Sequence, residues 1–373
     1  MDTDKILLYS SVFVMMGLSD AAIPVLPELA AANHVYYGPI ASSLLFSSYF
    51  LGALITMLPF GILADRYGNT RFIFLGLFLT VMSGLMIMIS NDLWILSIAR
   101  FIEGSACGAF FPAAFSMLSN FKNRNRSMGE FTFLLNAGLA SGVAISGYLA
   151  KTDIKSGILI FTIASGIVLI MALPKLIHSK PLITKKSHKK ISEDISIEVK
   201  KTMSTLFDNR FINVWILSFI LFGSTGILVA YYPDYSMGVL TKAELGAAIA
   251  GLYVTAMFAS LIVGRTSIGH NAMIRAGMGI SAIGALLAIQ HPMSGFIILG
   301  AGSGIAMVGL PIAASHMDTD RGLAMGLFNT CTYGGLALAP LIAGLFIGQF
   351  SFELIFFVSA LILGASILLR KNR

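Results

Sequence analysis

The feature that most constrains this chain is a succession of long apolar runs separated by short charged breaks. Only 12% of the 373 residues are charged, about half the share in a typical soluble domain. Too few polar side chains are present to cover a water-soluble body of this size, so lipid must cover much of its surface. The sequence therefore predicts an all-α integral membrane protein.

Cutting the sequence at its polar breaks gives twelve predicted transmembrane helices, each close to the length of about 20 residues that a bilayer requires. The glycine content of 37 residues favours close helix packing in lipid rather than strands. The predicted spans are 6–27, 38–62, 72–90, 93–118, 128–150, 154–174, 211–232, 243–264, 272–290, 293–315, 322–346 and 352–370.

The Lys and Arg residues predict which side of the membrane each loop occupies. Cytoplasmic loops are enriched in these residues, and most of the 25 in this chain share a side with the N-terminus. The exceptions are Lys151, Lys155 and Lys242 on the outer side and Arg100 within a span. We therefore expect a multi-pass protein of the cell membrane with both termini in the cytoplasm, and a first helix that is retained rather than cleaved.

A long polar stretch at 175–210 separates a predicted six-helix bundle at 1–174 from a second bundle at 211–373. Its cations fit a solvated linker or an amphipathic segment that touches lipid. Small residues of the fifth span recur in the eleventh at one constant offset, which indicates a duplicated unit. The pairs are Gly129 and Gly326, Gly138 and Gly335, Ala140 and Ala337, and Gly147 and Gly344. Two parallel six-helix halves around a central site are typical of transporters.

Charge is concentrated between the second and third spans, in the sequence GILADRYGNTR of residues 61–71. Its pattern Gly-x-Leu-Ala-Asp-Arg-x-Gly resembles the signature loop that joins the second and third helices of the major facilitator superfamily. The family pattern continues with basic residues, whereas this chain has Asn69 and Thr70 before Arg71.

Two further stretches bear on this resemblance. Residues 100–104, Arg-Phe-Ile-Glu-Gly, resemble its Arg-x-x-Gln-Gly element, with Glu103 in place of glutamine. The glycine-rich stretch 138–147 lacks the proline of the family's antiporters, although its counterpart in the second half contains Pro340. The resemblance covers nearly the whole chain and implies the major facilitator fold, with twelve helices in two pseudo-symmetric bundles.

The resemblance also implies a conformational role for the loop at 61–71. Asp65 is expected to engage the other half when the inner side is closed, with the start of the eleventh span as its partner. The alternative is a basic turn that only sets the topology. The predicted latch residues are Gly61, Asp65, Arg66, Gly68, Arg71 and Arg321.

Three ionisable residues, Asp20, Arg100 and Glu103, lie at membrane depth, where each costs about 2.5–3.5 kcal/mol on insertion scales. Arg100 and Glu103 share a helix face, being three residues apart. A rise of 1.5 Å per residue puts Asp20 about 21 Å from the inner face and Arg100 about 10 Å from the outer face, at similar depth. The resemblance places the first and fourth helices side by side along a central cavity. We expect Arg100 to face that cavity and to neutralise Glu103, Asp20 or an anionic substrate; the alternative is a structural ion pair.

Other candidates are uncharged. Asn136 and Asn329 are donors within spans, available to a substrate or to a neighbouring helix. Four prolines are expected to bend or end helices, with a gating bend or a plain helix end as the alternatives near the outer end of the first helix. These prolines are Pro24, Pro27, Pro112 and Pro340.

Together these features predict a secondary active transporter that works by alternating access, with a small molecule and a coupling ion as its partners. The favoured function is proton-coupled efflux, by an antiporter, of a small apolar or amphipathic compound. The alternatives are an uptake permease or uniporter for a small organic anion, and a lipid transporter.

The sequence favours a transporter over other membrane proteins. A receptor or an intramembrane enzyme is the rival class, and no histidine falls well inside a predicted span to support catalysis there. The chain has no Gly-x-x-x-x-Gly-Lys phosphate loop, and its two cysteines lack metal-ligand spacing. We therefore expect no enzyme activity, cofactor, metal or nucleic-acid partner, and a monomer in the bilayer.

Overall fold

The computed structural model describes residues 3–31, 38–178, 212–315 and 321–369, which are almost entirely helical. The helices are α1 (Thr3–Ala21), α2 (Leu26–Ala30), α3 (Pro39–Tyr67), α4 (Asn69–Ile89), α5 (Leu93–Ser119), α6 (Arg124–Leu149), α7 (Ser156–His178), α8 (Ile212–Tyr235), α9 (Lys242–Val263), α10 (His270–Ala288), α11 (Pro292–Ser315), α12 (Arg321–Gly344) and α13 (Phe352–Ser366). Among the described residues, 11 helical segments are long and apolar enough to cross a membrane. The helix α12 occupies the predicted span 322–346. The predicted all-α membrane fold is confirmed.

The first predicted span is broken rather than continuous. Helix α1 ends at Ala21, a 3₁₀ turn covers Ile23–Val25, and the short helix α2 follows. Pro24 and Pro27 lie in the first turns of these last two elements, where the backbone N–H that proline lacks is not needed. By contrast, Pro112 and Pro340 lie inside the continuous helices α5 and α12.

The described residues group into two compact units. The first lies within 1–187 and 236–250, and the second within 188–235 and 251–373. Helix α7 extends to His178, and the rest of the predicted linker 175–210, up to 211, lies outside the described residues. The division at this linker stays a prediction.

Helix α5 packs directly against α3 and α4 because glycines let the backbones approach. A Cβ atom added at Gly104 would lie 1.7 Å from the carbonyl oxygen of Tyr49, and one at Gly52 would lie 2.1 Å from that of Phe101. On the α4 side, a Cβ added at Gly76 would lie 2.9 Å from the carbonyl oxygen of Ala106. Only glycine fits such contacts, so these positions fix how α5 presents its polar residues to α3 and α4.

Candidate functional site

Helix α5 holds a buried ion pair at the centre of the first unit. The Arg100 Nη1 atom lies 2.7 Å from Glu103 Oε2, and the two side chains are only 3% and 2% exposed. Their spacing of three residues puts both on one face of the helix. Buried charges at membrane depth require such a partner, because an isolated charge there is strongly destabilising.

The guanidinium of Arg100 also joins three helices. Its Nη1 donates to the Ser19 carbonyl oxygen of α1 at 3.0 Å, and its Nε donates to the Leu45 carbonyl oxygen of α3 at 3.4 Å. The Tyr49 ring of α3 lies under the guanidinium carbon at 4.8 Å from the ring centroid, within cation–π range. Arg100 is therefore enclosed by protein groups rather than open to a wide cavity.

Glu103 has one oxygen engaged and one spare. Ser83 of α4 donates to Oε2 at 3.4 Å, the same oxygen that binds Arg100. The other carboxylate oxygen of Glu103, Oε1, is buried and has no hydrogen-bond partner within the described part of the chain. A buried carboxylate with a spare oxygen is equipped to take up a proton there.

Asp20 belongs to the same cluster through Ser19. The single hydroxyl hydrogen of Ser19 can be donated to Asp20 Oδ1 at 3.1 Å or to the Met16 carbonyl oxygen at 3.0 Å, while the Ser19 carbonyl oxygen accepts from Arg100. Asp20 is 5% exposed. The structure thus places the three ionisable residues that the sequence singled out, Asp20, Arg100 and Glu103, in one buried cluster.

The stretch 61–71, which the sequence predicts to be a loop, is helical except at Gly68: residues 61–67 end α3 and residues 69–71 begin α4. Gly68, with φ of +99°, is the only residue between the two helices, and its N–H donates to the Ala64 carbonyl oxygen at 2.9 Å. Asp65 is exposed, and Arg66 and Arg71 are partly exposed. Arg321 begins α12, and its side chain lies outside the described residues.

The remaining predicted positions lie elsewhere. Asn136 is half-buried on α6, where its Nδ2 donates to the Thr132 carbonyl oxygen one turn earlier at 2.9 Å. Asn329 is half-buried on α12 of the second unit. A substrate-binding role for these two residues stays a prediction.

Two features escaped the sequence reasoning. Asp234, in the last turn of α8, is buried at 6% exposure, and the cost of placing an acid in an apolar run would have flagged it. Glu28 of α2 forms an ion pair with Lys242 of α9 at 2.7 Å, with side chains 27% and 23% exposed. No sequence signal links two residues so far apart in the chain.

The loop before α7 anchors the end of α4. The Lys155 ammonium donates to the carbonyl oxygens of Met88 and Ser90 and to Asn91 Oδ1, at 3.4, 2.7 and 2.8 Å. Burial lowers the pKa of Lys155, and the nearby Asp153 opposes this shift. A cavity of about 330 Å³ adjoins these groups and is also lined by Glu28. With its ammonium committed to the helix end, Lys155 has a structural role.

The described residues contain no recognisable metal site. Among these residues, no three His, Cys, Asp or Glu side chains form a group that could hold a metal ion. Cys107 and Cys331 are buried free thiols, and Cys107 Sγ lies 3.0 Å from the Tyr49 hydroxyl.

Comparison with known proteins gives consistent results. The sequence profile of the Major Facilitator Superfamily matches residues 8–317 and 214–371. "Multidrug resistance protein 2" of Bacillus subtilis is 23% identical over 360 residues, covering 91% of this chain and 88% of that protein. "Quinolone resistance protein NorA" of Staphylococcus aureus is 24% identical over 358 residues, covering 92% and 90%.

A solved structure shares the fold. The crystal structure of the nucleoside transporter NupG superposes with a TM-score of 0.76 and covers 98% of both chains at 13% identity. At that identity the likeness concerns the architecture alone.

Proposed function

Because the chain belongs to the major facilitator superfamily, and is thus a multi-pass membrane transporter rather than an enzyme, we propose that it exports a small apolar or amphipathic compound in exchange for protons. The proposal rests on the buried Arg100–Glu103 pair and its link through Ser19 to Asp20.

Proton uptake at Glu103 would change the forces on Arg100. While Glu103 is ionised, the two charges compensate each other inside the protein. Once Glu103 is neutral, the guanidinium loses this charged partner and keeps its bonds to the Ser19 and Leu45 carbonyl oxygens and its contact with the Tyr49 ring. An uncompensated buried charge is strongly unfavourable, so protonation favours a rearrangement of α1, α3 and α5. Such a rearrangement is what coupling of a proton to transport requires.

Asp20 supplies a second carboxylate for the same guanidinium. Ser19 lies within hydrogen-bond distance of both groups, with its hydroxyl 3.1 Å from Asp20 Oδ1 and its carbonyl oxygen 3.0 Å from Arg100 Nη1. When Glu103 is protonated, Asp20, as the second acid of the cluster, would compensate Arg100 in its place. The site would then have two states: one in which ionised Glu103 pairs with Arg100, and one in which Glu103 holds a proton and Asp20 pairs with Arg100.

The substrate class follows from the scarcity of charge in the spans. Asn136 and Asn329 offer uncharged donors, which suit an apolar or amphipathic compound better than a highly charged one. The names of the two bacterial relatives refer to multidrug and quinolone resistance, which supports export. The enclosure of Arg100 by Glu103 and two carbonyl oxygens favours this function over uptake of an organic anion.

Transport by purified protein in proteoliposomes tests the proposal. Fluorescent amphiphiles of positive, zero and negative charge would be followed under an imposed pH gradient in each direction. We expect movement of at least one neutral or cationic amphiphile to follow the gradient, and Glu103→Gln to abolish this dependence. Glu130→Gln, in the exposed Arg126–Glu130 pair, is the matched control and should transport as wild type. Transport that ignores the gradient would reject proton coupling.

The stretch 61–71 is proposed as the conformational latch, with the start of the eleventh span at Arg321 as the partner of Asp65 in one state of the cycle. Asp65→Asn removes one charge while preserving the side-chain size. We expect substrate binding to persist while transport slows, measured by equilibrium binding and by flux. Lost binding in a folded protein would contradict the latch role.

The charge bias supports cytoplasmic termini, and we propose a monomeric transporter of the cell membrane. Protease protection of tags fused to each end, in intact and permeabilised cells, tests the orientation. Both tags should be cleaved only after permeabilisation.

A further inference from the structure

Asn69 stands where the family resemblance predicts a basic residue, and it makes a specific contact. Its Nδ2 donates a hydrogen bond to Ser116 Oγ at 2.8 Å. Ser116 lies in the last turn of α5, the helix that also holds Arg100 and Glu103. The loop is therefore tied to the central helix of the candidate site.

The backbone around Asn69 is tightly constrained. Asn69 is the first residue of α4, directly after the positive-φ residue Gly68. The Arg71 N–H donates to the Gly68 carbonyl oxygen at 3.2 Å. With so short a connection, the direction of the Asn69 side chain is set by the two helices rather than by a flexible loop.

A second contact lies on the same side of α5. A Cβ added at Gly61 would lie 3.4 Å from Pro112 Cβ, so the end of α3 closely approaches α5 at this point. Pro112 and Ser116 are four residues apart and share one helix face. One face of α5 is thus contacted at two points, by packing against Gly61 of α3 and by a hydrogen bond from Asn69 of α4.

The Asn69 amide is only half satisfied. Its Oδ1 is buried and has no hydrogen-bond partner among the residues that the structure describes. Exchanging the oxygen and nitrogen positions would leave the amide nitrogen without a partner instead. The unpaired Oδ1 atom of Asn69 is unfavourable in a buried position. The favourable contribution of this side chain is its hydrogen bond to Ser116.

We propose that Asn69 is a positioning residue, which tethers the start of α4, directly after the Gly68 turn, to Ser116 of α5 by a neutral hydrogen bond in place of the family's basic residue. Asp65 lies in the last turn of α3, directly before the Gly68 turn, so the tether fixes the turn that follows it. It operates independently of the substrate and coupling ion of the transporter.

Hydrogen–deuterium exchange of the purified full-length protein tests the tether directly. Asn69→Ala and Ser116→Ala should each speed exchange of the amides at 68–71 by at least threefold, and the double variant should exchange no faster than either. Thr70→Ala is the matched control because the Thr70 side chain has no hydrogen bond among the described contacts, and it should stay within twofold of wild type. Equal effects of Asn69→Ala and Thr70→Ala would overturn the proposal.

A rescue variant separates positioning from a general loss of packing. A lysine can donate to Ser116 Oγ and brings no acceptor that must be satisfied. Asn69→Lys should therefore restore exchange to the wild-type rate or below it, and Ser116→Ala should cancel this rescue. Exchange in Asn69→Lys as fast as in Asn69→Ala would refute the tether.

Discussion

Two ion pairs in the first unit have the same length and very different surroundings. Arg100–Glu103 and Lys242–Glu28 both measure 2.7 Å, but the first is 3% and 2% exposed and the second 23% and 27%. Removing charge from water is costly, and only a partner in good geometry offsets that cost. The distance between the charges therefore does not predict how much each pair contributes to stability. In the buried pair each charge depends on its partner, whereas in the partly exposed pair water also solvates the charges.

Arg100→Leu is expected to have the largest effect because it leaves Glu103 charged and uncompensated. Removing one partner of a buried pair costs about 3–5 kcal/mol. We expect a large loss of thermal stability in detergent, together with lost transport. The double variant Arg100→Leu/Glu103→Leu should recover most of the stability without recovering gradient-dependent transport. Wild-type melting of the single variant would show that Glu103 is neutral or hydrated.

Glu28→Gln should have a smaller effect that depends on salt. A partly exposed pair contributes about 1 kcal/mol or less, and salt screens it. We expect a modest fall in melting temperature at low salt and a smaller difference from wild type at high salt. Lys242→Met should reproduce this behaviour, and the double variant should add little. A salt-independent loss would indicate that packing rather than charge holds the contact.

Arg126→Ala should have the smallest effect. The Arg126–Glu130 pair also measures 2.7 Å, but its side chains are 78% and 36% exposed. Glu130 in addition accepts a hydrogen bond from the Tyr9 hydroxyl at 2.8 Å, which the variant retains. Melting temperature and transport should match wild type, and a loss as large as that of Glu28→Gln would break the ranking by exposure.

The sequence predicts those features of the structure that depend on residues close together in the chain. Long apolar runs located the helices, and the helical period placed Arg100 and Glu103 on one face, where the structure pairs them. The polar breaks predicted α5 at 93–118, against Leu93–Ser119 in the structure. These features are set by residues close together in the chain, so they can be read without a fold.

Other contacts depend on how helices pack and had no local signal. The carbonyl oxygens of Ser19 and Leu45 are present in every residue, and only the packing of α1 and α3 brings them to Arg100. The Asn69–Ser116 bond is similar: from the sequence, Asn69 was only a departure from a basic pattern. Proton or substrate binding by the cluster stays a prediction.

The single-residue connection at Gly68 makes the length of this loop unusually consequential. Each residue of an α-helix turns it by about 100°, so one residue inserted beside Gly68 would rotate α4 unless the loop absorbed it. Such a rotation would carry Ser83 away from Glu103 and replace Gly76 against α5 with a larger side chain. An insertion or deletion therefore has a different effect here from a substitution. A substitution changes one side chain, whereas an insertion between α3 and α4 displaces the distant α4 contacts at Gly76 and Ser83.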